Sequence, residues 1–381
     1  MGTTMPLSDD TIDAAGKRYW RESDRYAKLA ELVGNLCREI VSENVLRASV
    51  HWRAKTRKSF VNKLREHYAK DEKISDSVEA VFARVGDLSA VRVLTYVESD
   101  RPRVVDLISK AFEGPGGGDV EIDIKDKEDD ELDPKDEKKN KKKKTGFYRA
   151  THCQVAIPQD LLVESNENLL GLTCEIQVCS MLAHVWNELE HDLIYKPQTG
   201  DPTPAEHNAI ATLGHQTLAG DGVIVNLLEL VEARQRKETD PFADEYDFVP
   251  RVRPLFPDAN DFKRHAGQLF QALRDAGIDN PEQLRQQVLD GVESPPEKGA
   301  ELVSAFLESI GGDWSEVYEP LNDETSDLLL VMVLRRFAQK IVDSNPSGRG
   351  HGRPKRFVYA ARRWIDVGMH KAGQQAVAAD G

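Results

Sequence analysis

The chain has 381 residues, enough for two separately packed cores. Lys and Arg number 51 against 65 Asp and Glu, a formal net charge of -14. That balance excludes a general nucleic-acid coat but leaves room for a local basic patch. At 40% hydrophobic and 30% charged residues the composition is globular rather than wholly disordered. Cys37, Cys153, Cys174 and Cys179 form no C-x-x-C pair, which argues against a disulfide scaffold or zinc ribbon. No apolar run approaches the roughly 18 residues of a membrane span, and MGTTMPLSDD has no signal-peptide pattern. A cytoplasmic setting without a membrane partner is the expectation.

In chain order, Leu29, Leu32, Val33, Leu36, Cys37 and Ile40 recur at helical spacing and predict an amphipathic helix from Asp24 to Leu46. A polar, basic stretch from Val50 to Lys70 follows. Residues 75–85 read as a helix capped by Ser75. The β-branched run 88–97 predicts a buried strand. VVDLISKAF is helical in pattern, and GPGGGD ends it as a turn; without GK[ST] that glycine run is no P-loop. VEIDI, ATHCQVAI and LTCEIQVC predict three further strands, the last followed by the helical SMLAHVWNELEHDLIYK. The order β-α-β-β-β-α implies an α+β fold, a mixed sheet flanked by helices.

Residues 121–137 carry ten acids and three lysines, and residues 138–144 carry six lysines. Such segregated blocks predict a mobile charged loop over about 121–145; the lysines could alternatively meet phosphates, those of a small ligand or of an RNA stem. Residues 201–237 read as flanking helices interrupted at Gly220–Gly222. The proline-containing stretch 238–258 reads as a linker, and 259–381 as a mainly α-helical C-terminal domain whose most apolar helix is 327–342. From Ser344 to Lys371 seven basic residues face one acid.

Three segments carry polar groups where a plain core element would not. Arg53, Lys55 and Ser59 form R-x-K-x-x-x-S, a cation-and-hydroxyl set suited to a polyphosphate, although an exposed basic helix face would look similar. Asp87 opens a strand that contains Arg92, and an acid fixed at a strand end suits a metal ion. Glu175 and Gln177 share one face of a third strand, where a carboxylate needs a cation to meet it. Glu190, His191, Tyr195 and Lys196 cluster on the following helix, near Trp186. Asp87 and Glu175 together could hold Mg²⁺ against a triphosphate.

R-x-K-x-x-x-S, D-L-x-x-x-R-V, Y-R-A-x-H (Tyr148 to His152), E-I-Q-V and W-N-x-x-E-H-D-L-x-Y-K, in that order, resemble the RelA/SpoT alarmone synthetase domain over residues 24–196. The resemblance implies a nucleotidyltransferase-like fold over residues 1–200. It also implies pyrophosphate transfer from ATP to the 3′-hydroxyl of GDP or GTP. By motif, Arg53, Lys55 and Ser59 would cradle ATP phosphates and Arg92 would stack on adenine. Asp87 would bind Mg²⁺, with Glu175 as second acid, binding the metal or polarising the attacking hydroxyl. Tyr148 would stack on the acceptor base, with His152 and Gln177 on the acceptor side. Glu190, His191, Tyr195 and Lys196 would line or brace the site.

Departures cluster on the acceptor side. Phe147 displaces Gly146 from the position before the tyrosine, Ala150 replaces a serine, and Cys179 stands where an arginine is expected. A second reading therefore keeps the chemistry and changes the acceptor to the tRNA 3′-CCA end or an adenosine nucleotide, with the C-terminal helices as a regulatory module. A third is a degenerate nucleotide sensor, against which both acids stand. The only His-Asp pair, His191–Asp192, lies within the synthetase motif, so no alarmone hydrolase is expected. Homo-oligomers are common among the family's small synthetases.

Overall fold

The structure, a computed structural model, describes residues 7–68, 76–125, 147–162, 164–195, 200–232, 237–289, 299–311, 318–346 and 354–379. It comprises two compact units, Met1–Val41 with Arg47–Leu228, and Ser42–Leu46 with Glu229–Gly381.

In the first unit, helix α1 (Asp9–Glu43) begins well before Asp24, because Ile12, Ala15 and Tyr19 extend the buried stripe of Leu29, Val33 and Cys37. Strand β1 (Ala48–Ala54) occupies part of the stretch expected to be merely polar and basic. Helix α2 (Arg57–Lys63) follows, with the Thr56 side chain accepting from the Ser59 amide. Helix α3 (Val78–Arg84) is capped by Ser77 rather than Ser75. Strand β2 (Ser89–Thr95), helix α4 (Arg101–Ala111) and strands β3 (Glu121–Ile124), β4 (Thr151–Val155) and β5 (Cys174–Ser180) fall where the residue pattern places them. GPGGGD is a turn, with left-handed backbone at Gly116 and Gly117. Most of the charged loop, residues 126–146, lies outside the described residues. Helix α5 (Met181–Leu189) leaves β5 through the Ser180 cap. Helix α6 (Pro204–Glu232) runs without a break through Gly220–Gly222. Its start carries a capping box, Thr203 Oγ1 accepting from the Glu206 amide while the Glu206 carboxylate accepts from the Thr203 amide.

The sheet order is β1-β2-β5-β4-β3, with β2 and β5 parallel and the other neighbours antiparallel. The register fixes what each face presents. Trp52, Val91, Ile176, Cys153 and Ile122 form one cross-strand row, and Val91, Ile176 and Cys153 are fully buried. On the other face His51, Arg92, Gln177, His152 and Asp123 align, beside Arg53, Ala90, Glu175, Gln154 and Glu121. One face is hydrocarbon and the other is chemistry. Burial of each large apolar side chain on the first face contributes about 1.5–3 kcal/mol.

The second unit is helical: α7 (Glu245–Val252), α8 (Ala266–Ala276), α9 (Pro281–Leu284), α10 (Gly299–Ile310), α11 (Asp327–Ser344) and α12 (Arg356–Ala379). The stretch read as a linker contains α7, whose Phe248, Val249 and Val252 are buried and whose Asp244 cap accepts from the Asp247 amide. Pro250 is tolerated inside it. The core gathers Phe248, Phe262, Leu269, Phe306, Leu330 and Phe357. Asp327, fully buried at the start of α11, meets the Arg356 guanidinium and, at 3.0 Å, His265 Nδ1; His265 Nε2 lies 3.0 Å from Glu319. His265 adopts φ 61, and its amide donates to Asn44 Oδ1. No helix among the described residues is long and apolar enough to cross a membrane.

Candidate active site

Asp87 sits just ahead of β2, and the Lys55 and Lys63 ammoniums both reach its Oδ2, at 2.6 and 2.8 Å. Its Oδ1 is buried and has no hydrogen-bond partner. Burial works to raise this carboxyl, but the two lysines outweigh it and hold the group below its ordinary value. A carboxylate that is ionised, anchored through one oxygen and free at the other is prepared to meet a cation. Among the described residues no group of three or more His, Cys, Asp and Glu could hold a metal, so an ion at Asp87 would take its other ligands from phosphates and water, as Mg²⁺ commonly does.

Glu175, on β5, lines the same pocket as Asp87 but is held differently. Its Oε1 lies 2.9 Å from His152 Nδ1, and its Oε2 accepts from Gln177 Nε2 at 2.8 Å. The Tyr148 hydroxyl lies 3.1 Å from His152 Nε2. With its proton on Nδ1, His152 would donate to Glu175 and accept from Tyr148; Lys125 Nζ also lies 3.4 Å from Nδ1. Burial again pushes the Glu175 carboxyl up, and the His152 and Gln177 hydrogen bonds bring it below its ordinary value. Burial lifts the Tyr148 phenol to about 12, so it stays protonated.

Arg53, Lys55, Ser59 and Arg92 line the pocket with the two acids. The Arg53 guanidinium is exposed and makes no hydrogen bond or ion pair with any described residue. Arg92 Nη2 meets Glu188 at 2.7 Å, and its Nε reaches Gln177 Oε1 at 3.4 Å. Gln177 thus bridges Arg92 and Glu175.

Residues 52–200 match a family model described as a region found in RelA / SpoT proteins. This stretch is similar to a RelA/SpoT region. Solved structures similar to the chain include a GTP pyrophosphokinase family protein from Streptococcus pneumoniae, at 16% identity, covering 56% of this chain and 94% of that one, TM-score 0.42. Small alarmone synthetase 1 from Bacillus subtilis is similar at 17% identity over 57% of this chain and all of its own, TM-score 0.40. Small alarmone synthetase 2 from the same organism is similar at 20% identity, over 55% of this chain and 98% of its own, TM-score 0.38. No curated protein matches the sequence.

Within the RelA/SpoT region the structure gathers Arg53, Lys55, Ser59, Asp87, Arg92, Glu175 and Gln177 on one pocket, with His152 and Tyr148 joined through Glu175. It does not bring His191 there: the ring is exposed and lies 2.9 Å from Asp192, its chain neighbour. Glu190 opens a π-helical turn after α5 and is absent from the pocket wall. The Tyr195 side chain and Lys196 lie outside the described residues. Trp186 is a buried packing residue donating to the Ile210 carbonyl, and Cys179 and Ala150 are apolar packing against Tyr148.

Lys63 and Glu188 do not line the pocket but pair with two residues that do, Asp87 and Arg92, and sequence reasoning passed over both. Lys63 was legible as the residue one turn beyond Ser59 on the same helix face. Glu188 lies one turn after His184 and carried no signal before the partner of Arg92 was known.

Proposed function

We propose that the RelA/SpoT region is an ATP-dependent pyrophosphokinase that moves the β,γ-pyrophosphate of ATP to the 3′-hydroxyl of GDP or GTP, yielding ppGpp or pppGpp and AMP, in a stringent-response type of role. The observation that carries this reading is the unequal preparation of two carboxylates on one pocket. Asp87 keeps an unused buried oxygen between lysines, whereas both oxygens of Glu175 are already oriented by neighbours. The first arrangement suits Mg²⁺, with Asp87 Oδ1 as the protein atom that would hold it. When bound, the ion would neutralise phosphate oxygens of ATP.

Glu175 takes the other task. Its carboxylate accepts the proton as the ribose hydroxyl oxygen bonds to the β-phosphorus; the bond from that phosphorus to the α,β-bridging oxygen breaks, and AMP leaves with the electron pair. Arg53, with no partner among the described residues, is available for phosphate, while Lys55 and Lys63 keep Asp87 ionised. Arg92 offers a guanidinium face for adenine and Tyr148 a ring for the acceptor base. Most of the rate enhancement would come from alignment and electrostatics. Four buried free thiols suit a reducing, cytosolic setting.

The test offers purified protein ATP and Mg²⁺ with GDP, GTP, ATP or bulk tRNA in parallel, using γ-labelled ATP. Labelled ppGpp or pppGpp and released AMP are expected. Label in tRNA or an adenosine nucleotide would replace the acceptor and leave the chemistry standing. ATP binding without transfer to any acceptor would overturn the enzyme reading.

A further inference from the structure

Helix α6 lies beyond the matched residues 52–200, yet it holds both chain neighbours of Tyr148. On one side Phe147 fits against Gly214, where a Cβ would come within 2.3 Å of the phenyl ring. The same ring meets His215 edge-on, centroids 4.7 Å apart, and leans on buried Trp186, whose indole nitrogen donates to the Ile210 carbonyl. On the other side the Arg149 guanidinium lies 3.4 Å from Asp221 Oδ2. That oxygen also accepts from the Ser180 hydroxyl at 3.0 Å, and Asn187 Nδ2 donates to the Arg149 carbonyl.

Asp221 is no solvated surface acid. It is only 5% exposed, and Asp221 Oδ1, Arg149 Nε and Asn187 Oδ1 are all buried without a hydrogen-bond partner. Burying a carboxylate so incompletely bonded costs stability, and its contacts go to the residue after Tyr148 and to the serine that caps α5. With Phe147 seated and Arg149 tethered, the backbone on both sides of Tyr148 is fixed. The direction in which the side chain leaves the backbone is fixed with it, and the ring packs against Leu94, Ala150 and Cys179 with its hydroxyl 3.1 Å from His152 Nε2.

We infer that Asp221 is a positioning residue for the acceptor side of the site, setting the Tyr148 ring through Arg149 while the Gly214 notch seats Phe147. The inference rests on the proposed pyrophosphate transfer, in which Tyr148 receives the acceptor base. It also makes a helix outside the RelA/SpoT region part of that region's substrate selection. Asp87, Lys55 and Arg53 do not touch this network, so the groups assigned to the ATP phosphates stand apart from it, while Arg92 connects to Tyr148 only through Gln177, Glu175 and His152.

The test is steady-state kinetics of the full chain carrying Asp221→Asn, which keeps shape and removes charge, with Asp221→Glu as rescue. The acceptor is whichever one the unsubstituted protein uses. The KM for acceptor should rise about tenfold while the KM for ATP stays within about twofold, the scale of loss that a slightly misplaced group produces. Asp221→Glu should recover most of the loss. Arg149→Gln should reproduce it, and the double variant should add little, since the two residues act as one unit. An unchanged acceptor KM, or equal rises in both KM values, overturns the inference while leaving the transfer reading intact. If Asp221→Asn does not fold, Arg149→Gln supplies the same comparison of KM values. If the unsubstituted chain transfers to no acceptor, the transfer reading has failed first. Amide exchange over residues 147–152 then decides: faster exchange in Asp221→Asn supports the tether, and unchanged exchange removes it.

Discussion

The Lys63 ammonium, one turn along α2 from Ser59, lies 2.8 Å from Asp87 Oδ2 and shares that oxygen with Lys55. Asp87 is therefore anchored by two cations through one atom, leaving Oδ1 for a ligand. Asp87→Asn preserves the shape and removes the charge; it should lower turnover at least ~100-fold, comparable to losing a principal electrostatic contact in other active sites. The measure is product formation under saturating ATP, with circular dichroism to show that the chain is folded. Activity within a few-fold of the parent would detach Asp87 from the chemistry.

The His152 bridge gives a graded prediction. His152→Ala removes both the brace on Glu175 and the acceptor for the Tyr148 hydroxyl, so kcat should fall roughly 10- to 100-fold, the usual cost of losing a group that orients a catalytic one. Tyr148→Phe keeps the ring and loses only one hydrogen bond, for which about 1 kcal/mol, or some fivefold, is expected. Equal losses from the two substitutions would contradict the division between ring and hydroxyl.

Stability of the helical unit should depend on pH in two directions. Burial would lower the His265 pKa, but Asp327 above all, with Glu319, overcomes this and the opposing charge of Arg356, so the imidazole is raised above its ordinary value. Its stabilising contribution is complete below the unfolded value and is lost as pH rises through the folded one. Asp327 moves oppositely: burial would raise it, Arg356 and His265 win, and it falls to about 2. Its contribution is present above the ordinary carboxylate value and is lost in acid. Thermal melts should therefore show this unit most stable in mildly acidic solution, and His265→Asn should flatten the decline on the alkaline side. Asp327→Ala, which strands a buried arginine, should cost about 3–5 kcal/mol in denaturant titration.

Gly34 tests the packing of α1 on the sheet. A Cβ there would come within 2.4 Å of the Trp52 ring. Gly34→Ala gains about 1 kcal/mol of helix propensity, against an overpacking penalty of roughly 1–3 kcal/mol. Net destabilisation, with altered Trp fluorescence, is the expected result; a rise in stability would mean that the indole yields freely.

The parts of the fold that were legible in the sequence are those whose side chains report burial directly. The β2 and β5 runs are apolar because they are central strands, and a charged residue inside either stands out, as Arg92 and Glu175 do. Strand β1 was obscured for the opposite reason. It is an edge strand whose His51 and Arg53 face the pocket, so its alternation reads as a polar stretch. Helix α7 was hidden by its proline, since local propensity carries no record of Phe248 and Val252 reaching a core. The glycines of α6 suggested a break, whereas Gly214 and Gly220 are places where Phe147 and Leu182 come close. Motif order located the acids; only coordinates reveal that one has an idle oxygen and the other none.

All four cysteines, Cys37, Cys153, Cys174 and Cys179, are buried and unpaired, and every one belongs to the sheet-bearing unit. Burial pushes each thiol up, Cys153 and Cys179 to about 12, which suppresses the reactive thiolate. A maleimide added to the native chain should find nothing to alkylate, and its uptake during a denaturant ramp would time the opening of that unit alone. The molecule thus carries a built-in clock for half of itself, readable by mass spectrometry without any engineered label.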